Sequence, residues 1–313
     1  MTVQERCVRL STYVVFVDYG PDVEVQHTVR DTTCRIERAV YEDLLRFQGF
    51  REPEERHVRW IDAGVLVPPF KDDPEYHGGL RPGSEAQLAR DYQDWYWRHE
   101  IESEREYRWL GRSVVKMPTD LFLYQELMAA HRIHCVLEIG YGDGGGLWFF
   151  ATMLQLLGGG LVIGVDHDGG PAPQVFQSLE SVRVTLIQGD AYTPSTVAVA
   201  RGLVPDGFGL LVLDAAPDPK GKLQLLDRWA PLVAPGGYIV VEDVDSPHSP
   251  GARRLVADGI DRFLLDNPTF GISSLAGRAP LLKSRGAVLH RVDHQGMGVI
   301  AVARAGSRPQ EDR

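Results

Sequence analysis

Five apolar runs recur between residues 133 and 243 of the chain, and each ends in a carboxylate. They read IHCVLEIG, LVIGVD, VRVTLIQGD, FGLLVLD and GYIVVED, and their closing acids are Glu138, Asp166, Asp190, Asp214 and the pair Glu242 and Asp243. Helical patterns separate them. Short runs rich in Val, Ile and Leu, apolar on both faces and alternating with helices, are strands of a parallel sheet covered on both sides. The pattern predicts an α/β fold with a doubly wound, Rossmann-like sheet. Two later runs, residues 286–292 and 298–303, are close enough to pair as a C-terminal antiparallel hairpin.

In an open α/β sheet, ligands bind beyond the carboxyl ends of the strands at the switch point. The six acids are therefore expected to meet in one crevice. Like charges gathered there are costly unless donors or cations lie among them. The ligand should accordingly bring hydroxyls, an amino group and positive charge, with a divalent metal as a natural addition.

After the first run comes Gly140-Tyr141-Gly142-Asp143-Gly144-Gly145-Gly146, which opens a helix. Gly140, Gly142 and Gly145 satisfy GxGxxG, and Asp166 follows about 20 residues on, so a dinucleotide site must be weighed. A nicotinamide cofactor explains these residues and leaves Glu138, Asp190 and the later acids unexplained. S-adenosylmethionine explains more. The glycine loop would pass under its methionine part, Asp166 would accept from the ribose hydroxyls, and Asp190 with Ala191 would lie at the adenine. His167 is expected at the rim, and Tyr141 either contacts the cofactor or shields it. Asp214, Glu242 and Asp243 offer only oxygen, which suits Mg²⁺ better than zinc. Such an ion would hold an acceptor hydroxyl and lower its pKa.

Three segments carry a resemblance. KMPTDLFLYQELM (residues 116–128), VLEIGYGDGGGLWFFATMLQLLGGGLVIGVDHD (136–168) and APLVAPGGYIVVEDVD (230–245) resemble the cephalosporin hydroxylase / rhamnosyl O-methyltransferase family, whose relatives include metal-dependent macrolide-sugar O-methyltransferases. The resemblance spans roughly residues 112–265. It implies a class I S-adenosylmethionine-dependent fold, methyl transfer, and an Mg²⁺ site at Asp214, Glu242 and Asp243. It also implies that the stretch before the first strand closes over the cofactor, which makes Lys116, Asp120 and Gln125 candidate contacts. One departure stands out. The family's D-x-D-H pattern becomes Asp214-Ala215-Ala216-Pro217-Asp218 here, without the histidine that serves as base in the sugar methyltransferases. Asp218 and His248 are the nearest replacements.

Upstream, the Pro- and Gly-rich stretch at 68–83 marks a boundary. Residues 1–78 are expected to form a small α+β domain with strands near 12–17 and 23–29 and helices at 36–47 and 54–61. This domain is similar to winged-helix modules that bind leader or carrier peptides, and would serve in dimerisation, in walling the acceptor pocket or in presenting a substrate. Residues 79–111 are expected as a charged linker helix running from Ser84 to Leu110, with Tyr92, Trp95, Tyr96, Trp97, Tyr107 and Trp109 packing on a neighbour. Residues 112–313 form the methyltransferase domain.

The 43 acidic against 33 basic residues give a net charge of −10, which argues against nucleic acid or an anionic membrane as partner. Three cysteines, Cys7, Cys34 and Cys135, have no disulfide or zinc spacing. Without a signal peptide or spanning segment in view, the chain is expected to be cytoplasmic and a homo-oligomer. The reading is thus an S-adenosylmethionine-dependent, Mg²⁺-assisted O-methyltransferase of a small natural-product acceptor. The alternatives are an NAD(P)-dependent oxidoreductase and a non-methylating, cofactor-binding accessory protein.

Overall fold

The computed structural model describes residues 6–72, 77–96, 98, 107–170, 173–215, 218–242, 252–273 and 287–291. The first group of elements comprises β1 (Arg9–Leu10), β2 (Val14–Asp18), β3 (Asp22–His27), β4 (Thr32–Glu37), α1 (Arg38–Leu45), α2 (Val58–Asp62) and β5 (Leu66–Val67). Strands β2, β3 and β4 form an antiparallel sheet, and β1 pairs with β5. Val14, Val23, Val25, Tyr41, Leu44, Trp60 and Leu66 share a core of their own. The helix expected from residue 36 begins two residues later, because Ile36 belongs to β4 and pairs with Val23. β4 is an edge strand with only Ile36 buried, so its sequence shows no alternation.

The linker helix is shorter than expected. Ser84 does open it, accepting the Gln87 N–H at 3.3 Å, and α3 is described over Glu85–Tyr96, residues 97 and 99–106 lying outside the described residues. Trp109 stands in β6 (Arg108–Trp109), which turns back into β7 (Arg112–Ser113). The turn is made by Leu110 and Gly111, both at positive φ, and a helix cannot pass through them. Of the aromatic residues, Trp109 packs beyond the linker, meeting Phe149 edge-on at 5.0 Å, while Tyr96 and Tyr107 meet each other at 5.3 Å with tilted rings.

The principal sheet follows. Its flanking elements are α4 (Pro118–Ala130), β8 (Cys135–Ile139), α5 (Gly145–Leu156), β9 (Gly160–Asp166) and β10 (Val182–Gln188), then α6 (Pro194–Leu203), β11 (Phe208–Leu213), α7 (Pro219–Trp229) and β12 (Val233–Val241), and last α8 (Ala252–Asp266), β13 (Phe270–Ile272) and β14 (Ala287–Arg291). The strand order is β10-β9-β8-β11-β12-β14-β13. The five expected strands run parallel. Successive residues feed opposite cores. Leu137, Ile139, Leu211 and Leu213 face one side, and Val136, Leu210 and Val212 the other. This two-sided burial is the physical origin of the uninterrupted apolar runs.

The antiparallel end differs from the expected hairpin. β14 inserts between β12 and β13 and runs antiparallel to both. Its partner β13 precedes it in the chain, and residues 298–303 lie outside the described residues. β13 is only three residues long, too short to carry a periodic signal.

A buried ion cluster joins the first unit to α8. The Arg9 guanidinium donates to Asp72 at 2.9 Å and to Asp261 at 2.8 Å, and Asp261 also accepts the Phe70 N–H at 2.8 Å. Burial alone would raise the pKa of Asp72, yet the Arg9 charge and bonds from His77, Ser11 and Thr12 hold it far below the usual range. Beside it His27 contacts His77 at 3.1 Å. Burial, with the neighbouring His77 and Arg30, pushes the His27 pKa down to about 3, and burial pushes His290 on β14 down to about 4.

Both histidines stay neutral in the fold at pH values where the unfolded chain, with pKa near 6.5, takes up protons. Stability is therefore full above that value and falls as pH drops toward 4. Urea unfolding at pH 7 and pH 5 should show a loss of about 2 kcal/mol per histidine, and His27→Gln and His290→Gln should each flatten the slope.

Candidate active site

The parallel ladder continues for one residue past each strand end and so sets the acids side by side. Gly140 N–H donates to Val165 O at 2.8 Å, Asp214 N–H to Ile139 O at 2.9 Å, and Glu242 N–H to Leu213 O at 3.0 Å. Beyond these tips lies a cavity of about 210 Å³ walled by the glycine loop, by residues 113–120 and by Glu138, Asp214 and Glu242. It opens where β8 lies between β9 and β11, the switch point of the sheet.

The glycine loop is shaped by close approach. Gly140 has φ +85°, and a Cβ there would lie 2.5 Å from the Asp214 carbonyl oxygen. At Gly145 a Cβ would lie 2.0 Å from the Ser113 carbonyl, so the segment 113–117 can close down on the start of α5. Gly142 N–H donates to Asp166 Oδ2 at 3.0 Å and Asp168 N–H to Oδ1 at 3.2 Å. These bonds fix the carboxylate at the loop's edge. Tyr141 is buried in the cavity wall, and its hydroxyl accepts the Gly170 N–H at 3.1 Å.

At the floor, one ammonium serves three carboxylates. Lys116 Nζ lies 2.7 Å from Asp214 Oδ2, 2.8 Å from Glu242 Oε1 and 3.0 Å from Glu138 Oε1. Its side chain is only 3% exposed. Burial works against its charge, but Asp214, Glu138 and Glu242 outweigh burial and lift its pKa well above the ordinary lysine value. The Tyr124 hydroxyl donates to Glu242 Oε1, and burial with that neighbouring charge raises its pKa. Burial likewise raises the pKa of Glu138, partly offset by Lys116. Glu138 Oε2 is buried with no hydrogen-bond partner.

The structure therefore gathers Glu138, Gly140, Tyr141, Gly142, Gly145, Lys116, Asp120, Asp214 and Glu242 around one cavity. Several expected members stand elsewhere. Asp218 caps α7, its Oδ1 accepting the Gly221 N–H at 2.9 Å, and is not in the wall of this cavity. Asp190 accepts the Tyr192 N–H at 2.7 Å in the turn before α6 and lies outside the cavity wall. Ala191 packs on the core and accepts from the Trp229 indole. The His167 side chain is 76% exposed, paired with Asp166 and Asp168. Gln125, on α4, is not in the wall. Asp243 and His248 lie outside the described residues. Tyr124 was not anticipated. It stands on α4, whereas Lys116 precedes that helix, so no helical spacing in the sequence pairs the two.

With this geometry in place, relatives become informative. The family model described as Rhamnosyl O-methyltransferase/CmcI matches residues 102–274. The chain belongs to this family. A rhamnosyl O-methyltransferase of Mycobacterium leprae (strain TN) is 26% identical over 162 residues, 50% of this chain and 67% of that protein. One from Mycobacterium tuberculosis (strain ATCC 25618 / H37Rv) is 23% identical over 159 residues, 50% of this chain and 63% of that protein. The chain thus spans about two thirds of the length of the curated relatives it matches. Among solved structures, an apo form of CmcI is similar at TM-score 0.46 and 23% identity, covering 59% of this chain and 76% of that one. An O-methyltransferase from Bacillus cereus in complex with SAH is similar at TM-score 0.41 and 16% identity, covering 67% and 90%. The family is one of O-methyltransferases, in agreement with the methyl-transfer part of the first of the three sequence readings.

Gly145→Ala tests the closure of residues 113–117 on α5. The added methyl should cost about 1–3 kcal/mol through forced backbone displacement, read as a lowered Tm, whereas Gly202→Ala, inside α6 with open space around it and an ordinary φ, should cost nothing.

Proposed function

We propose that the chain transfers a methyl group from S-adenosylmethionine to a hydroxyl of a small natural-product acceptor. The observation that carries this reading is the meeting of Glu138, Asp214 and Glu242, from three adjacent strand tips, in a cavity roofed by a glycine loop. Asp166, held by two backbone N–H groups, presents its remaining lone pairs to a ribose diol. Tyr141 excludes water from the same wall. Methyl transfer needs the acceptor oxygen in line with the methyl and sulfur, so the residues act chiefly by positioning.

Asp214 and Glu242 offer oxygen alone and come from neighbouring strands, a donor set that fits a hard divalent cation such as Mg²⁺. Asp243 would complete the set. The chemistry such an ion supplies is to lower the pKa of a bound hydroxyl. Proton removal falls to this effect, to Asp218 or to His248. The first unit, tied to α8 through Arg9, is proposed to serve dimerisation or to wall the acceptor pocket.

S-adenosylhomocysteine should raise the melting temperature, and NADH should not. Asp166→Ala should weaken S-adenosylhomocysteine binding tenfold or more, about 1.4 kcal/mol by calorimetry. Equal binding by the variant, or stabilisation by NADH alone, would overturn the cofactor assignment. Asp214→Ala should keep the fold yet lose methyl transfer from labelled cofactor, and EDTA should abolish turnover of the unaltered protein. Full turnover in either case removes the ion from the mechanism.

A further inference from the structure

We propose that Lys116 is a resident cation that holds the metal-binding carboxylates together and is displaced when a divalent ion arrives, so that ammonium and ion exchange at one position. The inference rests on the metal reading above. Nζ touches Asp214 Oδ2 and Glu242 Oε1 at 2.7 and 2.8 Å, the same two side chains that would ligate the ion. Its three contacts match the three donors of an ammonium. An Mg²⁺ ion sits about 2.0–2.1 Å from its oxygen ligands, so an ion on those two carboxylates falls within a few ångströms of Nζ. Two cations that close in a buried site repel strongly. One must give way.

The surroundings provide for the movement. Lysine carries its charge on a flexible four-carbon stem, and Lys116 lies in the segment between β7 and α4 at the cavity wall. Its third partner, Glu138, is not among the ligands assigned to the ion. Glu138 keeps Oε2 buried without a hydrogen-bond partner, which gives the ammonium a second oxygen to move onto. Gly146, a position the glycine fingerprint does not use, makes the room. A Cβ there would lie 2.8 Å from Lys116 Cε and 2.3 Å from Glu138 Oε1. Meanwhile Tyr124 keeps Glu242 in place by its hydroxyl. The ammonium therefore slides from Asp214 and Glu242 toward Glu138 while the remaining groups stay put.

Competition between the two cations weakens ion binding and makes the ion-free protein less dependent on metal for stability. Mn²⁺ titration followed by electron paramagnetic resonance is the test, on the full chain and on Lys116→Met. The variant should bind Mn²⁺ at least tenfold more tightly, and Mn²⁺ should raise its melting temperature more than that of the unaltered chain. Equal or weaker binding by the variant overturns the exchange, since ammonium and ion then occupy separate positions. Absence of Mn²⁺ binding by both proteins instead overturns the metal reading underneath. Should Lys116→Met fail to fold, the unaltered chain still decides the matter. It has only five lysines, so the Lys116 ammonium is assignable by ¹⁵N magnetic resonance. Saturating Mg²⁺ must shift its signal, and a signal unmoved while the ion binds overturns the proposal.

Discussion

Three carboxylates at adjacent strand tips cannot share a buried pocket without a cation, and the site is organised around that constraint. Parallel strands in register bring Glu138, Asp214 and Glu242 together whether or not their charges agree. Removing like charges from water costs several kcal/mol each unless an opposite charge stands beside them. Lys116 supplies it, from a segment more than twenty residues upstream of Glu138. The same electrostatic demand that stabilises the resting pocket also describes what can enter it: positive charge and hydroxyl donors.

Backbone packing explains why the lysine can reach so far in. Segment 113–117 approaches α5 closely enough that a methyl group at Gly145 or Gly146 would collide with it. Glycine here permits two pieces of backbone to touch, and the touching seals one wall of the cavity. The fingerprint that suggests a nucleotide site thus also records a contact within the protein.

A second buried ion cluster does for the architecture what Lys116 does for the site. Arg9 pairs with Asp72 and with Asp261 of α8, all nearly without solvent exposure. Breaking such a cluster by removing one member strands a buried charge, which is among the costlier single changes a protein can suffer. The small sheet of the first unit is thereby coupled to a helix of the main sheet's layer, and residues 48 and 49 pack directly against β13.

The apolar runs alone determined the doubly wound sheet, because strands buried on both faces must read as continuous Val, Ile and Leu, and their terminal acids named Glu138, Asp214 and Glu242 of the cavity wall. Short edge elements escaped notice. β4 buries a single residue and β13 has three, so neither leaves a period to detect. The extent of α3 was overestimated because nothing in the charged stretch before Leu110 and Gly111 announces a hairpin. Only the tertiary structure decided which polar residues meet. It assigned Asp218 to a helix cap and Asp190 to a turn, and it brought Lys116 and Tyr124 onto Glu242. Periodicity is a local property of the chain, whereas the pairing of charges across more than a hundred residues depends on how the loops close over the sheet.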